Sequence, residues 1–144
     1  MNDLIDVLDI IGVIAFAISG AMTAIKKRMD LLGVCVLGIV TAVGGGITRD
    51  VLLGNTPPSA FKDPRDVSIA AIVSCLVFAF MVLNASEHTK NPSEKFVEIY
   101  ENILMFSDAV GLGAFTVIGI DVAKKTVSDY NTNAFLLIFV GVIT

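Results

Sequence analysis

Long apolar stretches, separated by short polar ones, set the pattern of this chain. A helix that crosses a membrane needs roughly 20 mostly apolar residues. Residues 4–25, 31–53, 67–84 and 102–123 meet that length, and a fifth apolar run starts at 134 and continues to 144. The polar breaks carry helix-boundary chemistry. Lys26-Lys27-Arg28 closes the first run, and Asp30 stands where a capping carboxylate opens the second. Residues 55–66 hold Pro57, Pro58 and Pro64 and are expected to form an ordered loop with no helix. Asp63-Pro64-Arg65-Asp66 reads as a helix start: a capping carboxylate, a proline at the first helical position, an acid soon after. Asn91-Pro92-Ser93-Glu94 repeats it, so the fourth helix should begin near Pro92, before its apolar part. Phe96, Ile99, Tyr100 and Ile103 then share one face at helical spacing, a face expected to pack on the bundle. The pattern predicts an all-α, polytopic membrane helical bundle.

Composition sharpens this. The chain has 144 residues, 55% hydrophobic and 17% charged, with a mean hydropathy of +0.82. Soluble domains carry about 45–50% apolar and about 25% charged residues, so the composition argues against a soluble enzyme. The formal net charge of −4 offers no basic face to nucleic acid. Cys35 and Cys75 each lie inside an apolar run, are expected in the core, and make neither a disulfide framework nor a zinc site. His88 is the single histidine and is expected to be solvated in a loop. No nucleophile–base pair or metal set exists, so the chain is read as no enzyme, with no cofactor and no metal. Met1-Asn2-Asp3 lacks the basic start of a secretory signal, and the first run reads as a permanent span. With the N-terminus outside, Lys26, Lys27, Arg28, Lys90 and Lys95 lie inside, against Lys62, Arg65, Lys124 and Lys125 outside. The flanks of the first helix, acid before and Lys-Lys-Arg after, decide the orientation.

A repeat is written into the sequence. Shifted by 99 residues, 9–30 falls on 108–129 with eight of 22 positions identical. The matches include Asp9 with Asp108, Gly12 with Gly111, Phe16 with Phe115, Lys26 with Lys125 and Asp30 with Asp129. After an insertion around 130–133, Gly38 falls on Gly141 and Thr41 on Thr144. Three helices separate the copies, and an odd number inverts the second copy in the membrane, a recurrent plan of channels and transporters. The reading is a first three-helix repeat over 1–84, a polar linker and helix start over 85–101, and an incomplete second repeat over 102–144.

Gly44-Gly45-Gly46 interrupts the second span. Each glycine weakens a helix by about 1 kcal/mol relative to alanine, so the helix is expected to break within 43–47 and to line a pore with its freed backbone. Close packing against a neighbouring helix is the plainer use of such small residues. Arg49 and Asp50 follow at once. Arg49 and Asp9 sit at matched depths from the same membrane face, which predicts an Asp9–Arg49 contact, direct or through one water. Asp108, the copy of Asp9, is expected to be partly buried with no lysine or arginine of this chain at salt-bridge distance. Its apolar surroundings should form a groove.

These residues carry a resemblance. Ala15-Phe16-Ala17-Ile18-Ser19-Gly20-Ala21, then Thr41-Ala42-Val43-Gly44-Gly45-Gly46-Ile47-Thr48-Arg49-Asp50 with Leu52-Leu53-Gly54 and Pro57, resemble the prokaryotic trimeric intracellular cation (TRIC) channel family, also labelled glycine-transporter-domain proteins. Asp108-Ala109-Val110-Gly111-Leu112-Gly113-Ala114-Phe115 fits the second copy. The resemblance implies a seven-helix protomer of two inverted three-helix repeats in a symmetric trimer, of which this chain is the N-terminal two-thirds. It also implies a potassium-permeable pore in each protomer, lined at Gly44, Gly45, Gly46 and Thr48, with Asp9, Arg49, Asp50 and Asp108 as charges near the pathway. The implied setting is the lipid bilayer of a prokaryotic inner membrane. Two rival readings are a carrier for a small zwitterion such as glycine and a non-conducting membrane interaction subunit.

Overall fold

The computed structural model describes residues 2–87, 94–126 and 134–143. Its order is α1 (Asn2–Lys26), α2 (Leu31–Leu52), α3 (Ser59–Lys62), α4 (Arg65–Glu87), α5 (Glu94–Thr126) and α6 (Ala134–Ile143), with no strand among the described residues. Stretches of α1, α2, α4 and α5 are long and apolar enough to cross a membrane. His88, Lys90, the Asn91–Ser93 cap, the 130–133 insertion and Thr144 lie outside the described residues, as do the side chains of Lys95, Phe96, Ile99 and Tyr100.

The boundary chemistry works locally. Asp30 caps α2 by accepting the Gly33 N–H at 2.9 Å. The Asp63 carboxylate accepts the Arg65 N–H at 3.0 Å as α4 begins. The proline-rich loop departs from expectation by holding one helical turn, α3. The Asp50 carboxylate fixes the first backbone N–H of α3, and this gives so short a helix its start.

The core is made of small and β-branched residues: Val13, Ala17, Ala42, Val43 and Ala70 with Phe115 and Ile118, and a second group of Ala21, Ala24 and Val34. Lipid is as apolar as leucine, so helices in a membrane gain from close backbone approach and packing and little from hiding greasy surface. The lone hydroxyls obey the same constraint. Thr23, Thr41 and Ser74 each donate to the carbonyl four residues back, at 2.9, 2.7 and 2.7 Å. Cys35 is half-buried and Cys75 exposed, so the expected core position fails: the cysteines sit on the outer seam of α2 and α4.

α1 and α5 run antiparallel. Gly12 faces the Phe115 ring, Gly111 faces the Phe16 ring, and Lys26 Nζ lies 3.4 Å from Glu101 Oε1; each pair of numbers adds to 127. The two rings stack at 5.3 Å between centroids. Gly12 and Gly111 are repeat equivalents, as are Phe16 and Phe115, so the contact is reciprocal. The α1–α2 packing recurs as well. A Cβ on Gly38 would lie 3.3 Å from Ala17 O, and one on Gly141 would lie 3.5 Å from Thr116 O, the equivalent carbonyl. The fold is a bundle of inverted repeats, with the second begun by α5 and α6.

Candidate functional site at the charged end of the bundle

α2 does not break. It is helical without interruption from Leu31 to Leu52, through the whole glycine triplet. The magnitudes explain why. Three glycines weaken the helix by roughly 3 kcal/mol. Opening even one turn in an apolar setting leaves several backbone groups unsatisfied, at several kcal/mol each. The Thr48 hydroxyl adds a bond to the Gly44 carbonyl at 2.8 Å and bridges the triplet. Close packing among the described residues does not account for Gly44 or Gly46 either. A Cβ on Gly44 would meet nothing within 4 Å, and one on Gly46 only the Arg49 guanidinium at 3.9 Å. The close-packed glycines around α2 are Gly20 of α1, against Thr41 and Leu37, and Gly38 of α2, against Ser74 of α4. The triplet instead makes α2 thin over one turn.

Beyond it, the helix end is clamped. Arg49 and Asp50 are both buried. The guanidinium gives two bonds of 2.9 Å to Asp50 Oδ1, from Nε and Nη2. Asp50 Oδ2 accepts the Ser59 N–H at 2.8 Å and the Ser59 hydroxyl at 2.7 Å. The chain reverses at Gly54, whose φ of +74° suits glycine, and Asn55 N returns to Asp50 O at 2.8 Å. The loop thus folds back over the end of α2 and supplies every hydrogen bond the Asp50 carboxylate needs beyond its arginine.

No direct Asp9–Arg49 salt bridge forms among the described residues; Arg49 pairs with Asp50. Asp50 is adjacent to Arg49 in sequence, already fixed by Ser59, and takes the guanidinium first. Asp9 remains half-buried, with no ion pair within 4 Å among the described residues. The two still share one space. A cavity of about 280 Å³ opens where α1 starts, α2 ends and α4 starts. Its charged lining is Asp6, Asp9, Asp63 and Asp66 with Arg49 and Arg65; Val43, Gly46 and Phe115 form part of its floor. Both cations have partners, Arg49 in Asp50 and Arg65 in Asp63, whose Oδ2 is 3.8 Å away. The cavity therefore faces the medium with an excess of carboxylate.

The other expected site residues are placed differently. Of the glycine triplet only Gly46 lines this cavity; Gly44, Gly45 and Thr48 do not, and Thr48 is exposed. Asp108 is exposed, where partial burial was expected, because no described helix covers its side of α5. It has no lysine or arginine within salt-bridge distance among the described residues; Lys125 pairs with Asp121 at 2.6 Å. By the antiparallel register it lies opposite Ser19, ten positions along α1 from Asp9, or about 15 Å. The charges of the two copies are not brought together. Ser59 and the carboxylates of Asp63 and Asp66 join the site beyond the residues the sequence pattern singles out. A serine directly after two prolines, and an acid at the mouth of the next helix, were the available signals.

An all-α bundle of membrane-spanning helices in inverted repeats, with a carboxylate-lined cavity at one end, defines an integral membrane protein. The profile of the glycine transporter family matches residues 6–82, and the chain belongs to this family, that of the TRIC channels. It is 41% identical over 139 residues to the UPF0126 inner membrane protein YadS of Escherichia coli K12, an alignment covering 95% of this chain and 58% of that protein. The fold matches the TRIC trimeric intracellular cation channel orthologue from Rhodobacter sphaeroides with a TM-score of 0.77 and 32% identity, over 96% of this chain and 62% of that one. It matches a prokaryotic TRIC channel in 0.5 M KCl with a TM-score of 0.81 and 31% identity, over 98% and 64%. The chain spans about three-fifths of the length of these relatives.

Proposed function

We propose that this chain is the larger part of a potassium-conducting channel protomer that works as a homotrimer in a prokaryotic inner membrane, N-terminus outside. Residues 1–84 form its first three-helix repeat, 85–101 the linker and 102–144 the start of the second repeat. The cavity at the end of α1, α2 and α4 is the entrance of the cation pathway. One observation carries the reading: both guanidiniums in the wall are occupied by carboxylates, while Asp6, Asp9 and Asp66 have no ion-pair partner among the described residues. Carboxylates lining a low-dielectric cleft concentrate cations by focusing the field. Gly46 has no side chain to narrow the floor. Backbone carbonyls in a helix keep a second lone pair after accepting their i+4 N–H, so an unbroken thin helix still offers oxygen to a partly dehydrated ion. Gly44 spends that second lone pair on Thr48, which leaves its neighbours for this role. Arg49 and Asp50 hold the entrance in shape and do not bind the ion.

The test is reconstitution of the full-length protein in liposomes, with potassium flux recorded beside uptake of labelled glycine. Conduction that does not saturate with potassium, and that falls several-fold in Asp9→Asn and in Asp66→Asn, supports a channel with this entrance. Saturable glycine uptake without current supports the carrier and overturns the proposal. A protein that passes neither solute in a folded state overturns it in favour of an interaction subunit.

A further inference from the structure

Cys35 and Cys75 take no part in the cavity or in the clamp at the end of α2. Forty positions apart in sequence, their sulfurs lie 3.3 Å from each other across the α2–α4 seam. The two helices pack tightly right beside them. Gly38, one turn beyond Cys35, has no room for a Cβ against Ser74, the residue before Cys75. A small residue thus keeps the two backbones close beside the pair. A disulfide bond has an S–S distance of about 2.05 Å, and closing from 3.3 Å calls for side-chain rotation, not helix movement. The surroundings are apolar and outward-facing: Val36, Ile72 and Leu76 are all exposed. Cys75 is ten residues from the start of α4, about 15 Å along the helix, so water-borne oxidants meet it poorly.

We propose that Cys35 and Cys75 form a disulfide that ties α2 to α4, with a lipid-soluble quinone as the class of oxidant. Two S–H bonds break and one S–S bond forms. The two electrons and two protons reduce the quinone to its hydroquinone. The tie falls nine residues before Gly44, about 13.5 Å along α2, and fixes the base of the thin segment against α4. The inference rests on the seam geometry alone and stands whether or not the cavity conducts.

The experiment uses the full-length protein in phosphatidylethanolamine–phosphatidylglycerol liposomes, exposed without oxygen to decylubiquinone, whose ring is fully substituted and forms no thiol adduct. The expected result is an intact mass lower by two hydrogens, one hydroquinone per chain, and simultaneous loss of alkylation at both cysteines, restored by dithiothreitol. Cys35→Ser and Cys75→Ser should each leave the remaining thiol fully alkylatable. Moving the thiol one position around α2, as Val36→Cys in the Cys35→Ser background, should abolish the cross-link. Two alkylatable thiols after quinone treatment of the unaltered protein, or a disulfide that joins two chains on a non-reducing gel, would overturn the assignment.

Discussion

The face of α1 that carries Asp9, Val13 and Ala17 and the equivalent face of α5, with Asp108, Leu112 and Thr116, follow one pattern in two environments. Val13 is 1% exposed and Leu112 51%. The sequences predict equal burial. The neighbours decide otherwise, since α1 packs on α2, α4 and α5 while, among the described residues, α5 packs mainly on α1 and α6. An amphipathic pattern thus records which side of a helix is made to be covered. It does not record what is present to cover it.

Substitutions placed in pairs across the two halves sharpen this contrast. The largest effect is expected at the clamp. Arg49→Ala strips the buried Asp50 of its counter-charge, and breaking such a pair costs about 3–5 kcal/mol. Lys125→Ala removes an ion pair on a helix surface, worth about 0.3–0.5 kcal/mol. Thermal unfolding in detergent, followed by circular dichroism, should separate the two by many degrees. Equal shifts would show that the clamp does not bear on stability.

Next come the aromatic stacks. Phe16–Phe115 and Phe135–Phe139 have nearly the same geometry, with centroids 5.3 and 5.8 Å apart. Phe115 is buried, and Phe115→Ala should leave a cavity of roughly 100 Å³, which at 24 cal/mol per Å³ costs about 2 kcal/mol. Phe135 is exposed, and Phe135→Ala should change the unfolding temperature little. Because the Phe16–Phe115 contact is reciprocal, the double alanine variant should fall short of the sum of the singles by about 0.5–1.5 kcal/mol.

The smallest expected difference lies in the glycines. Gly38→Ala forces a methyl into Ser74, and overpacking of about 1–3 kcal/mol outweighs a helix-propensity gain of about 1. Gly113→Ala meets nothing within 4 Å, keeps only the gain, and should stabilise α5 by about 1 kcal/mol. If both variants shift the same way in the unfolding experiment, the two halves are covered alike in solution.

Much of the fold was legible because its signals are local or periodic. Asp30 and Asp63 act within three residues of themselves, and the apolar runs need only length. The inversion was legible because the two copies of Gly-x-x-x-Phe stand three spans apart, an odd offset. The site was less so. The glycine triplet predicted a break from propensity alone, and the cost of unpaired backbone in an apolar setting reversed it. The matched depths of Asp9 and Arg49 bring both to one cavity, but depth does not encode that Asp50 takes the direct ion pair. Ser59, which settles that competition, reaches Asp50 from nine residues away, through a loop whose path no periodicity encodes.

The 127 register has a consequence for ancestry. A surface in which glycine receives the partner's phenylalanine, and phenylalanine the partner's glycine, is complementary to itself. A lone three-helix chain bearing Gly-x-x-x-Phe on its first helix would dock with an upside-down twin through the same four groups. All it would need is to enter the bilayer both ways up. The near-even division of lysines and arginines between the two sides of this chain is what such a dual-facing founder would bequeath. Joining two of its genes end to end, the first ending on the far side after three crossings, would have frozen a pairing of strangers into a single polypeptide.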